Sequence, residues 1–146
     1  MGTTDHMIKQ KLGMTFVEVI IAMAIFAILV VGIFPAFMLG IKLNAVSKVS
    51  VETASVAQTT MEGIYSYSVN NTLPNTIATL SSTYPNPVVV GSVTTLTKST
   101  IDYTIVLVFT ANFPQTGMTN TKITVTKLAN PFGALPAQAE TILLFK

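Results

Sequence analysis

The chain of 146 residues contains no cysteine, so neither a disulfide framework nor thiolate chemistry is open to it, and its fold rests on packing. Arginine is missing too, since all 8 basic residues are lysines. Without guanidinium forks, a surface that grips phosphates by bidentate contacts is excluded, and there is no strong nucleic-acid signal. The single histidine, His6, stands near the N-terminus and leaves the rest of the chain without imidazole. Carboxylates number 6, and those beyond the first third are Glu52, Glu62, Asp102 and Glu140, none close in sequence to another. General acid–base work draws on histidine or on paired carboxylates with shifted pKa values, so no catalytic residue is assigned. No Cys/His set can hold zinc, and four scattered carboxylates do not make a calcium loop. With no glycine-rich phosphate loop either, neither a metal nor a cofactor is expected.

What the chain does have is one long apolar run, from Val19 to Ile41, that carries no charge. As a helix it would extend about 35 Å, enough to cross a hydrocarbon core of about 30 Å. No other segment is long enough to span. Lys9 and Lys11 lie just before it, as the positive-inside rule expects of a cytoplasmic flank. A conventional secretory signal fits less well, because its apolar region is shorter and ends at a small-residue cleavage site, and none is evident after Ile41. Glu18 stands at the start of the run. An ionisable group drawn toward lipid costs on the order of 3 kcal/mol and has a partner or a task, or else it sits at the interface and favours the helix N-terminus through the macrodipole. Within the run, Gly32 and Pro35 are weak points, at about 1 and about 3 kcal/mol in a helix interior.

The string Gly13-Met14-Thr15-Phe16-Val17-Glu18, followed by this run, resembles the processing signal of type IV pilins and pseudopilins. The resemblance implies that a prepilin peptidase cuts between Gly13 and Met14 and methylates the new N-terminus. Glu18 would then be the fifth mature residue, the family's signature glutamate, acting with Met14 in assembly. Pro35 falls where many pilins carry a helix-breaking proline, which implies local melting around Gly32 to Phe37 in the filament. Met14 departs from the commoner phenylalanine, although methionine is accepted there. Many pilins close their C-terminal region with a disulfide, which this chain cannot do. The implied partners are other pilins in a homo- or hetero-polymer, the prepilin peptidase, and an inner-membrane assembly platform with its cytoplasmic ATPase. The precursor would lie in the inner membrane and the product in an extracellular pilus or pseudopilus.

The resulting layout is a cytoplasmic leader at 1–13, a transmembrane and filament-core helix at 14–43, and a globular head at 44–146. In the head, Val46, Val49, Thr53, Val56, Thr60, Ile64 and Tyr67 recur at steps of three and four, a mostly apolar stripe on a helix reaching residue 70. Lys48 and Glu52 form an i,i+4 pair on another face. Ser68 to Asn71, with Pro74 beyond, signals the helix end. Residues 71–87, with Pro74, Pro85 and Pro87, read as a long connection. Asn70-Asn71-Thr72 matches a glycosylation sequon, a string too short to carry an assignment.

Residues 88–146 read as sheet. From Ile101 to Thr110 the odd positions Ile101, Tyr103, Ile105, Leu107 and Phe109 are all apolar, a period-two pattern. Thr121 to Leu128 alternates Ile123 and Val125 with Lys122, Thr124 and Thr126, and should pair with it as an antiparallel hairpin. Val88 to Leu96 reads as one further strand and Thr141 to Phe145 as a last, after the breakers Pro131, Gly133 and Pro136. The expected fold is α+β: a long N-terminal transmembrane and stalk helix whose second half packs on a small antiparallel sheet, as in type IV pilins. Two functions are consistent with it, a filament subunit and a monomeric, single-pass anchored surface binding domain.

Overall fold

The computed structural model of the chain describes residues 14–130 and 132–146. Gly13, the rest of the expected leader and the expected breaker Pro131 lie outside them. The chain divides into two compact units, one ending at Ile41 and one from Lys42 to Lys146.

Helix α1 runs Phe16–Asn70. From Val19 to Ile41 it is apolar on every side, and every residue from Met14 to Asn44 is exposed in the chain alone. A helix with no polar face is stable where its backbone groups bond within the helix and its side chains meet lipid or protein. By length and composition it can cross a membrane. Gly32 and Pro35 do not interrupt it. Pro35 removes one amide donor from the helical ladder, yet the other turns hold their geometry.

In the second unit the stripe on α1 becomes the helical half of the core. Thr53, Ala57, Ile64 and Ser68 are buried, with Val56 and Met61 packed beside them. At its C-terminal end the stripe turns toward Ser68 rather than Tyr67, which is exposed. The shift follows from the helix repeat, because Ser68 is the fourth residue after the anchoring Ile64.

Residues 71–87, expected as a connection, contain a second helix, α2 (Leu73–Ser81). Thr72 is its N-cap, its hydroxyl accepting from the Asn75 amide at 3.4 Å, and a proline occupies the first turn. Both are helix-start signals. α2 buries Thr76 and Leu80.

Five strands follow: β1 (Val88–Val90), β2 (Val93–Ser99), β3 (Tyr103–Ala111), β4 (Met118–Lys127) and β5 (Ala137–Leu144). They form one antiparallel sheet in the order β1-β2-β3-β4-β5. The single strand expected over Val88 to Leu96 is a hairpin, because Gly91 takes a φ of +60° and turns the chain so that Val90 faces Val93. Ile101, expected at the head of the β3 apolar face, lies in the β2–β3 turn and is 92% exposed. Thr100 holds that turn: its hydroxyl accepts from the Tyr103 amide at 3.0 Å, and its amide donates to the Tyr103 carbonyl at 2.8 Å.

The register places Leu96, Leu107, Ile123 and Ala139 in one row across the sheet, flanked by Phe109 with Thr121 and by Ile105 with Val125. All of these except Ala139 are buried, and the apolar ones form one cluster with Ala57 and Ile64 of α1 and Leu80 of α2. The sheet's other face, with Thr95, Val108, Lys122 and Glu140 in a row, is partly to fully exposed. The C-terminus is tied back to the end of α1 by the Lys146 amide donating to the Asn71 carbonyl at 3.3 Å.

Candidate functional site

The residues singled out by the sequence lie along the first part of α1. Thr15 precedes the helix and its hydroxyl accepts from the Glu18 amide at 3.3 Å. The Glu18 carboxylate accepts from the Thr15 amide at 3.4 Å. This reciprocal arrangement is a capping box, in which two amides that the first turn leaves without helical partners are satisfied by side chains. The macrodipole reading of Glu18 is therefore accompanied by a specific contact. Its signal, a threonine followed by glutamate three residues later in Thr15-Phe16-Val17-Glu18, was open to the sequence.

Met14 shares a shallow apolar groove of about 410 Å³ with Val19, Ala22, Met23 and Phe26. A second, of about 220 Å³, lies between Val30, Ile33, Phe34 and Phe37, beside Pro35. Both are indentations in the surface of one helix, and their linings offer almost nothing polar to a small ligand. They suit the ridges of another helix or lipid chains. Met14 and Glu18 stand at the head of this surface, whereas Gly32 and Pro35 lie more than three turns along it, so the structure forms two places on one helix rather than one pocket.

In the second unit, charge gathers where α1 meets the end of the sheet. Lys127 donates to Glu52, and the Tyr103 hydroxyl donates to the same carboxylate at 3.3 Å. Tyr103 and Lys127 are cross-strand partners on the helix-facing side of the sheet, which is why both reach Glu52. The Lys127 ammonium also lies 5.6 Å from the Tyr103 ring centre. Its hydrogen bond holds the Glu52 carboxyl below its ordinary value of 4.5, with the charge of Lys48 and the Tyr103 hydroxyl adding to the effect. The same bond raises Lys127 above its ordinary 10.5. The expected Lys48 charge thus acts on Glu52 beside a hydrogen-bonding partner 75 residues away in sequence, for which no local pattern exists. Tyr84 is pushed above 10.0 by burial. Among the described residues no group of three or more His, Asp or Glu side chains is placed to hold a metal ion.

Residues 8–34 match the family model for the prokaryotic N-terminal methylation motif. No curated protein and no solved structure matches the chain. The match takes in the lysine flank, the Gly13–Met14 junction, Glu18 and the first part of the apolar helix, and with that helix it fits a membrane-anchored precursor. Residues 8–34 are accordingly the prepilin-type signal that type IV pilins and pseudopilins carry.

Proposed function

We propose that the chain is a structural subunit of a type IV pilus or pseudopilus. The observation that carries this is the methylation motif at residues 8–34, continued by a helix whose apolar surface is exposed among the described residues. The same motif suggests a structural subunit rather than an enzyme. Such a signal implies cutting by the prepilin peptidase, between Gly13 and Met14, and then polymerisation. The precursor waits in the inner membrane, with Lys9 and Lys11 holding the bond to be cut at the cytoplasmic face. The assembly platform and its ATPase then transfer the mature chain to a filament outside.

In the filament the apolar helices bundle away from water, which desolvates both the Met14 ammonium created by cleavage and the Glu18 carboxylate. Removing one partner of a buried pair costs about 3–5 kcal/mol. An incoming subunit meets this demand by bringing its Met14 ammonium to the Glu18 of a subunit already in place. The contact is attractive in only one stagger, so it sets register more than strength. Gly32 and Pro35 act further along, where a helix short of one backbone bond can open when packed among its copies.

A second reading has one observation in its favour. The capping box gives Glu18 a complete local role, as the anchor of a monomeric surface binding domain would require. Mass spectrometry of the mature chain and the Glu18→Ala variant separate the two. On the filament reading the N-terminus begins at a methylated Met14, and the variant inserts and is cut but assembles poorly. An N-terminus that retains Lys11 removes the prepilin reading. Wild-type filament levels from Glu18→Ala return Glu18 to its capping role alone.

A further inference from the structure

The sheet has two free edges of unlike character. β1 is a three-residue strand of valines, 57%, 64% and 71% exposed in sequence order. Proteins blunt such edges by keeping them short or with lysine, proline or a bulge within the strand; β1 is short, and Val88 to Val90 has none of the other devices. At the other end, β5 exposes Ile142 and Leu144. A groove runs between β5 and α1. One part, of about 410 Å³, is lined by Tyr65, Val69, Met118 and Leu143 among others. The adjoining part, of about 310 Å³, is lined by Met61, Glu62, Tyr65 and Thr141 to Leu143.

We infer that these edges are the two halves of one subunit contact, in which β1 of one copy lies along β5 and its groove on the next. The inference rests on the filament reading and adds the surface by which heads would meet. The occupant is a second copy for three reasons. First, the alternation matches. Val89 pairs with Thr94 on the helix-facing side of the sheet, while Val88 and Val90 face the other way. On a neighbour's β5, Thr141 and Leu143 face the helix, and Ile142 and Leu144 face the other way. A continued sheet therefore seats Val89 over the groove at Tyr65 and Leu143, and sets Val88 and Val90 beside Ile142 and Leu144.

Second, the charges are complementary. Lys98, one strand in from β1, is the sole charge between Asn71 and Ile101. On the same helix-facing side as Lys98, at the β5 edge, Glu62 stands on the groove wall, whereas Glu140 faces the other way opposite Lys122. Third, the symmetry is that of a polymer. Four antiparallel pairings in sequence leave β1 and β5 running the same way at opposite ends of the sheet, so like-oriented copies join through a parallel pair. Such a head-to-tail contact does not close on itself at two subunits. The helix wall of the groove also belongs to α1, the element through which the filament reading already assembles the chain.

The absence of cysteine makes the test direct, because introduced thiols are the only ones present. Val88→Cys and Val90→Cys are each combined with Ile142→Cys in the full chain, expressed in its own cell, and filaments are treated with a mild oxidant. All three positions are exposed, so the core is untouched. One of these pairs should give a covalent ladder on a non-reducing gel. Val89→Cys with Ile142→Cys should not, because those side chains leave opposite faces and cannot meet disulfide geometry. Independently, Val90→Lys should lower filament yield about tenfold at unchanged membrane levels by charging the free edge. Normal filaments without a ladder, an equal ladder from the Val89 pair, or full yield from Val90→Lys each overturn the edge contact and leave the filament reading standing. A parent chain that forms no filament or oligomer overturns both.

Discussion

At the scale of single residues, Glu52 and Thr121 carry measurable expectations. The Glu52 carboxyl is lowered in the folded chain, so its stabilising contribution is present at neutral pH and is lost as pH falls below 4.5 through the folded value. Lys127 is raised, so its contribution is present below 10.5 and is lost as pH rises through the folded value. Thermal melts of the full chain in detergent should therefore show an acid-side fall that Glu52→Gln flattens. The change at neutral pH should be small, because both side chains keep partial contact with water. Thr121 is wholly buried between the cross-strand neighbours Phe109 and Thr141, and its hydroxyl has no hydrogen-bond partner among the described residues. A buried hydroxyl without a partner costs about 1–3 kcal/mol. Thr121→Val, which keeps the shape, should raise stability by about 1 kcal/mol in denaturant titration, and a destabilised variant would show that the hydroxyl is solvated or bonded in solution.

At the scale of elements, α1 stays helical through Gly32 and Pro35 in the isolated chain, so any opening there belongs to the filament. Pro35→Ala, which restores the missing donor, should leave membrane insertion intact and alter filament assembly or extensibility. Unchanged filaments with a helix continuous at this point would make Pro35 a tolerated proline and nothing more. The features legible in the sequence were those with a sustained period: α1 from its uninterrupted apolar run and the stripe beyond it, β3 and β4 from strict alternation. Elements set by one or two residues were harder to read. The capping Thr72 and the first-turn Pro74 of α2 were submerged in a stretch that also holds Pro85 and Pro87, and a single Gly91 decided that Val88 to Ser99 would fold back rather than run on. The Glu52–Lys127 contact had no local trace at all, because tertiary packing alone brings the two together.

At the scale of the whole molecule, the chain joins an apolar helical surface, exposed among the described residues, to a small sheet domain that holds its core without covalent crosslinks. The full chain should accordingly stay with the membrane pellet through alkaline carbonate and leave it only in detergent, and release by carbonate would show that the helix does not span. The order of the strands also bears on how the chain is made. Each strand's sheet partner is its neighbour in sequence, so the sheet can grow one hairpin at a time over short loops, which is kinetically undemanding. Its docking on α1 is the long-range event. During synthesis α1 emerges before the strands that cover Ala57 and Ile64, so the inner face of the helix waits bare until β2 to β4 have been made. A nascent chain stalled before β2 would present that face to any chaperone within reach.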